Sequence, residues 1–247
     1  MKSLDGKRAL VTGGSRGIGA SIARALAENG ADVAVTYNQS PARAADVVRA
    51  IEASGRRGVA IQADSADPAA VHRSVHEAVE ALGGLDVLVN NVGTARMGKF
   101  VDLTLADIEA ILATNVRANV LASQAAIPHL GNGGRIITIG SNSAERAAFP
   151  GLALYALSKS AMLGFTRHLA RELGPQGITV NLVQPGPTDT ELNPDNGKEL
   201  AELNRRLTSL GRYASPDEVA AVTAFLASPA ASYMTGSIVT VDGGYNA

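Results

Sequence analysis

A doubly wound α/β fold, with a seven-stranded parallel sheet covered by helices on both faces of a single domain, is what this sequence predicts. Three observations carry it. Apolar runs of strand length alternate with longer stretches of helical period along the chain, the pattern of a parallel sheet buried on both faces. Glycines follow the helical stretches, where helices stop. At 247 residues and 46% hydrophobic composition, the chain can bury one large core without a second domain.

Taken in order, the run 8–12 reads as the first strand, and 18–29 as a helix that stops at Gly30. Strand 32–37 precedes a helix at 41–54, closed by Gly55. Strand 58–62 leads to helix 68–82, closed by Gly83 and Gly84. Strand 85–90 is followed by one long helix at 105–130, ending before Gly131. Strand 134–140 and helix 155–173, closed by Gly174, come next. Strand 179–185, helix 216–227 and strand 237–242 complete the set. The rhythm blurs only at 189–212, where Asn193-Pro194-Asp195-Asn196-Gly197 is turn chemistry. In an open α/β sheet the ligand lies beyond the carboxyl ends of the strands. A segment following strand 179–185 overhangs that crevice, so 189–212 is expected to be a substrate lid.

Composition excludes several classes. Formal net charge is −1 with both signs evenly scattered, so neither nucleic acid nor an anionic membrane is an expected partner. There is no cysteine, which rules out disulfides, thiolate catalysis and cysteine-ligated metals. The start of the chain lacks an apolar signal segment, and no run approaches the ~18 apolar residues of a membrane span. A soluble, cytoplasmic protein is expected. His72 and His76 share i, i+4 spacing but alternate with Arg73 and Glu77 and lack a third ligand, so they read as a solvated helix face and no metal is expected. His129 and His168 show no partner pattern, and without a Gly-x-Ser-x-Gly elbow a serine hydrolase is disfavoured.

Two motifs carry chemistry. Tyr155 and Lys159 stand four residues apart, so a helix opening at Tyr155 brings phenol and ammonium onto one face. The cation would stabilise a phenolate and make the phenol a usable acid at neutral pH. Ser141 lies fourteen residues earlier, at a carboxyl strand end, with Ser143 as the alternative serine. The other motif is Thr12-Gly13-Gly14-Ser15-Arg16-Gly17-Ile18-Gly19, between a strand and a helix. There, backbone N–H groups and a helix N-terminus can hold a pyrophosphate. One motif binds a dinucleotide and the other moves a proton, which together suggest hydride transfer.

The spacing Gly13-x-x-x-Gly17-x-Gly19 resembles that of the short-chain dehydrogenase/reductase family, and the resemblance covers essentially the whole chain. Asn90-Asn91-Val92-Gly93 is similar to the family's Asn-Asn-Ala-Gly element, with Val92 in place of alanine. Because that element chiefly supplies a backbone contact, the change should be minor. Asn115 matches the catalytic asparagine, Ser141 the serine, and Tyr155 with Lys159 the Tyr-x-x-x-Lys pair. Pro185-Gly186-Pro187-Thr188 matches the segment that closes over the nicotinamide, and Asp64 with Ser65 the adenine-contacting position. The implied fold is a Rossmann-type sheet.

NAD-preferring members carry an acid at the end of the second strand for the ribose hydroxyls. Here that strand ends Val35-Thr36-Tyr37-Asn38-Gln39-Ser40, with no carboxylate. Arg16, Asn38 and Ser40 can instead offer donors to a 2′-phosphate, which points to NADP(H). The implied reaction reduces a carbonyl to a secondary alcohol, reversibly. Tyr155 supplies the proton, Ser141 holds the oxygen, Lys159 binds the nicotinamide ribose and Asn115 holds a water that reloads the proton. Within the family the chain resembles the 3-oxoacyl-carrier-protein reductase and carbonyl reductase branch. A second resemblance, through 62–67 and 183–197, is to a bacterial branch associated with cyclic-di-GMP binding and biofilm dispersal. Family members pair the helices expected at 105–130 and 155–173 across a two-fold axis, with a second interface near 235–247. That resemblance implies a homotetramer, a dimer of dimers.

Overall fold

The structure, a computed structural model, describes residues 2–247. Seven strands lie parallel: β1 (Arg8–Val11), β2 (Asp32–Tyr37), β3 (Gly58–Gln62), β4 (Val87–Asn90), β5 (Arg135–Ile139), β6 (Thr179–Pro185) and β7 (Ile238–Val241). Their order across the sheet is β3-β2-β1-β4-β5-β6-β7. The helices are α1 (Gly17–Glu28), α2 (Pro41–Ala53), α3 (Pro68–Leu82), α4 (Leu105–Leu112), α5 (Ala118–Ala126), α6 (Ala153–Leu173), α7 (Glu199–Leu207) and α8 (Pro216–Ala227). Among the described residues no helix is long and apolar enough to cross a membrane.

The two-residue period of the strands divides the core. Ala9, Val11, Val33, Val35, Val87 and Val89 bury on one face, against Ile22 and Leu26 of α1, Ile51 of α2 and Val219 of α8. The intervening Leu10, Ala34 and Leu88 bury on the other, against Val71 and Val75 of α3, Ala122 of α5 and Leu173 of α6. Such strands read as continuous apolar runs because both faces are covered. After β3 at one edge, the chain returns to lay β4 beside β1. That reversal opens a crevice at the carboxyl ends of β1 and β4, where ligands of doubly wound sheets bind.

One expectation needs correction. The helix expected at 105–130 is not continuous: between α4 and α5 the backbone takes one π-helical turn, Ala113–Arg117, and the run ends in a 3-10 turn at Ile127–His129. No glycine or proline marks the π-turn in sequence. Its cause is tertiary, because Asn115 turns inward onto neighbours outside the helix. The end of the run is local, since Pro128 has no N–H to continue the ladder. The segment 189–212, where the rhythm blurs in sequence, contains α7. This helix fully buries only Ala201 and Asn204, yet its signal is present in sequence, since Leu200, Leu203 and Leu207 fall at i, i+3 and i+7. Other boundaries differ by one or two residues, as helix and strand ends do.

Candidate active site

The turn after β1 is shaped for close approach. Gly13 and Gly17 adopt φ of 63° and 52°, the left-handed region that favours glycine. A Cβ on Gly19 would sit 2.5 Å from the Gly13 carbonyl and 2.4 Å from Asn91 Nδ2. Asn91 donates through that amide to the carbonyls of Thr12 (2.9 Å) and Gly13 (3.1 Å). The Thr12 hydroxyl accepts from the backbone N–H groups of Asn91 (3.0 Å) and Val92 (3.2 Å). So the Asn91-Val92-Gly93 element is tied to the turn both through its backbone and through the Asn91 side chain, and Val92 is accommodated beside Gly13.

Helix α1 opens onto this turn with Arg16 at its N-cap, no capping side chain and no acid in its first turn. Its neighbour α8 is different: Glu218 accepts from the Ser215 N–H at 2.9 Å and Asp217 stands beside it. Helices α3 and α4 are likewise capped by Asp67 and Thr104. An uncapped N-terminus keeps free donors and the positive end of the helix dipole for an anion. These glycines and donors fit a dinucleotide pyrophosphate.

A cavity of about 1350 Å³ runs along the carboxyl edge of the sheet. Gly13, Ser15, Arg16, Gly17, Ile18 and Gly19 line its middle, with Asn91, Val92 and Gly93 beside them. Asn38, Ser40 and Ser65 line the end beyond β2 and β3. Asp64 does not line it, and uses its carboxylate to accept from the Ala66 N–H at 2.9 Å. No carboxylate stands at the end of β2, since Asp32 lies at its start and pairs with Arg56 and Arg57. One acid does reach this end from the segment 189–212: Glu191 pairs with Arg16 and with Arg43 of α2. Neither Arg43 nor Glu191 was legible as a site residue.

At the other end, Ser141 follows β5 and Tyr155 stands in the first turn of α6. Lys159, one turn on, has its Nζ 5.9 Å from the centre of the Tyr155 ring and donates to the Ile139 carbonyl at 2.9 Å. All three line the cavity. Burial pushes the Tyr155 phenol above its ordinary pKa, and the Ser141 hydroxyl draws it part of the way back. Lys159, with no carboxylate beside it, is lowered by burial to about 8. The expected depression of the phenol by Lys159 is therefore not found, since burial and Ser141 set its direction. A phenol held protonated at neutral pH is ready to donate.

Asn115 lies behind this group and does not line the cavity. Its side chain accepts from the Thr94 N–H (2.8 Å) and donates to the Thr94 carbonyl (2.8 Å) and the Ser158 hydroxyl (3.0 Å). Ser158 donates in turn to the Tyr155 carbonyl at 2.7 Å. On the other side, Asn119 donates to the Asn115 carbonyl (2.7 Å), Ser123 to the Asn119 carbonyl (2.8 Å) and Asn90 to the Ser123 hydroxyl (2.9 Å). A buried polar chain thus runs from the end of β4 to the first turn of α6. Its signal in sequence was present but unread: Asn115, Asn119 and Ser123 recur every four residues amid alanine and valine.

Pro185, Gly186 and Thr188 close the floor after β6. A Cβ on Gly186 would come 2.7 Å from the Asp242 Cα, so the residue must be glycine, and Thr188 donates to its carbonyl at 3.0 Å. The segment 189–212 adds apolar Leu192 and Leu200 to a lining that also includes Met97, Phe149 and Leu152. It is tied to the C-terminus through Asn204, which donates to the Tyr213 hydroxyl (2.8 Å) and accepts from that of Tyr245 (3.3 Å). Far from the cavity, the His76 ring packs edge-on against His129 at 5.4 Å.

A family model described as enoyl-(acyl carrier protein) reductase matches residues 13–246. A solved structure of a short chain dehydrogenase from Burkholderia cenocepacia, in complex with NADP, is 56% identical, with a TM-score of 0.97 over 99% of this chain and 100% of that one. The cyclic-di-GMP-binding biofilm dispersal mediator protein of Escherichia coli K12 is 41% identical over the full length of both chains. Versicolorin reductase of Emericella nidulans is 40% identical over 98% of this chain and 96% of its own.

Proposed function

The chain belongs to the short-chain dehydrogenase/reductase family, and from that premise we propose that it is an NADP(H)-dependent oxidoreductase reducing a ketone to a secondary alcohol. One observation supports this most: Tyr155, Lys159 and Ser141 meet at one end of a cavity whose middle is an uncapped helix N-terminus wrapped in glycine. When bound, the cofactor supplies a hydride. The turn from Gly13 to Gly19 and the α1 N-terminus hold its pyrophosphate, and Arg16, Asn38 and Ser40 its 2′-phosphate. Asp64 and Ser65 are assigned to the adenine, Ser65 as a lining residue and Asp64 through its turn. Pro185, Gly186 and Thr188 are assigned to the nicotinamide side.

Tyr155 Oη carries the proton destined for the carbonyl oxygen, and Ser141 Oγ donates to that oxygen as its charge grows. Lys159 is assigned to the nicotinamide ribose, which would give its ammonium the acceptors it lacks within the chain. Asn115 is assigned to proton resupply through its backbone, because its amide is committed to Thr94 and Ser158. Apolar walls from Met97, Phe149, Leu152, Leu192 and Leu200 favour a largely hydrophobic ketone.

The proposed assembly is a homotetramer. Leu157 on α6 and Val120 on α5 are exposed at 55% and 36%, as on faces awaiting a partner. The proposed location is the cytoplasm, because a charged dinucleotide reductant does not cross membranes.

The resemblance to the Escherichia coli relative supports a second reading, in which the same cavity takes cyclic di-GMP as a signal. Turnover of a panel of hydrophobic ketones with NADPH, beside calorimetric titration of cyclic di-GMP, separates the two. Turnover supports the enzyme. Its absence together with saturable dinucleotide binding overturns it in favour of the sensor.

A further inference from the structure

The lid reaches the adenosine end of the cavity through one carboxylate. Glu191 Oε2 accepts from Arg16 Nη1 at 3.0 Å, while Oε1 pairs with Arg43 Nη1. Arg16 comes from the glycine-rich turn and Arg43 from the first turn of α2. Glu191 is 175 residues from the first and 148 from the second, so only the folded cleft brings the three together. The preceding lid residue, Thr190, rests on the same turn: a Cβ built on Gly17 would lie 3.4 Å from Thr190 Cγ2.

Three features show that this contact is made to be exchanged. The side chains of Arg16, Arg43 and Glu191 are 62%, 48% and 52% exposed, and exposed pairs are weak enough for a ligand to break. Helix α2 begins with no capping side chain and no acid in its first turn, so no anion of its own satisfies that end. Guanidinium forks bind phosphate at least as well as carboxylate, and often in bidentate geometry.

We infer that Glu191 is a displaceable internal counter-ion, which holds Arg16 and Arg43 until the 2′-phosphate of NADP(H) takes its place, making Arg43 a second ligand of that phosphate. The inference rests on the placement of the 2′-phosphate beside Arg16 proposed above. The two guanidiniums hold the Glu191 carboxyl below the usual range, so it remains charged at neutral pH. A phosphate dianion and this carboxylate repel each other and cannot share both arginines without loss. A cofactor without the 2′-phosphate has no reason to displace Glu191. The carboxylate is therefore an acid set against NADPH rather than for NADH.

The test is calorimetric binding of 2′,5′-ADP and 5′-AMP, fragments that carry no nicotinamide, to the wild-type chain and to Glu191→Gln, Arg43→Ala, Arg16→Ala and Glu191→Gln/Arg43→Ala variants. Glu191→Gln is expected to tighten 2′,5′-ADP about three- to tenfold, the scale of releasing two exposed ion pairs, and to change 5′-AMP less than about twofold. Arg43→Ala and Arg16→Ala should each weaken 2′,5′-ADP selectively, and the gain from Glu191→Gln should shrink in the Arg43→Ala background. If the arginine variants weaken 2′,5′-ADP but Glu191→Gln leaves it unchanged or weaker, the counter-ion role is overturned while the phosphate placement stands. If neither arginine matters, the placement itself falls.

Discussion

The two ends of the cavity are held in opposite ways. At the end formed by Ser141, Tyr155 and Lys159, Lys159 and, behind it, Asn115 are buried, and every contact that orients them is a hydrogen bond to backbone or a hydroxyl. No carboxylate pairs with Lys159. At the other end, Arg16, Arg43 and Glu191 are half exposed and make ion pairs across chain segments. A buried network is rigid because each broken bond leaves an unsatisfied group in a low-dielectric surround. An exposed ion pair breaks cheaply because water replaces it. Geometry that must not move is built from the first kind of contact, and selection among ligands from the second.

Four experiments bear on this contrast. The largest effect is expected for Tyr155→Phe, which removes one hydroxyl and leaves the ring to pack. Ketone reduction should fall by at least ~100-fold while NADPH still binds, as for loss of a general acid. Single-turnover kinetics with a turned-over ketone measure it, and near-normal rates would remove the phenol from the mechanism.

The second uses pH. In the folded chain Lys159 binds its proton less tightly than in the unfolded one, about 8 against the ordinary value of 10.5. Unfolding therefore takes up a proton in that window, and stability of the unliganded chain should rise as pH climbs from about 8 to 10.5. The penalty is complete below pH 8, and amounts to about 3 kcal/mol. Lys159→Met should flatten this part of the profile. A parallel rise in both proteins would mean that another group is responsible.

Third, Asn115→Ala leaves the Thr94 N–H, the Thr94 carbonyl and Ser158 without their partner. A loss of about 2–4 kcal/mol in urea unfolding is expected at unchanged m-value. Arg43→Ala, at the exposed end, should shift the unfolding midpoint much less. Equal costs would erase the distinction between the two ends.

The smallest effect is on cofactor choice. Tyr37→Asp puts a carboxylate at the end of β2 and should shift the NADPH/NADH ratio of kcat/KM toward NADH by about tenfold. An unshifted ratio would place the 2′-phosphate elsewhere.

The sheet was legible because its cause is local: Ala9 and Val11 face one way and Leu10 the other, so both faces are apolar in the sequence itself. Tyr155, Lys159 and Ser141 were legible because helix pitch and strand end suffice to bring them together. The work of Asn119 and Ser123 was not read, although their spacing shows it, since polar residues among alanines look the same on a wet face as in a buried chain. The meeting of Arg16, Arg43 and Glu191 could not be read at all. It depends on how the lid lies over the glycine-rich turn, which no local pattern encodes. Nor could the pKa of Tyr155, because the same tyrosine and lysine spacing on an exposed helix would carry no desolvation.

The π-turn at Ala113–Arg117 also governs which changes in chain length this region tolerates. A turn of this kind holds one residue more than the α-helix around it needs. Deleting that residue would let the run close as regular α-helix with α4 and α5 nearly in their present phase, and would withdraw Asn115 from Thr94 and Ser158, which it now bonds. An alanine substitution at Thr114 keeps the wide turn and a one-residue deletion removes it. Length is here a coded quantity in its own right, as constrained as the identity of the asparagine it delivers.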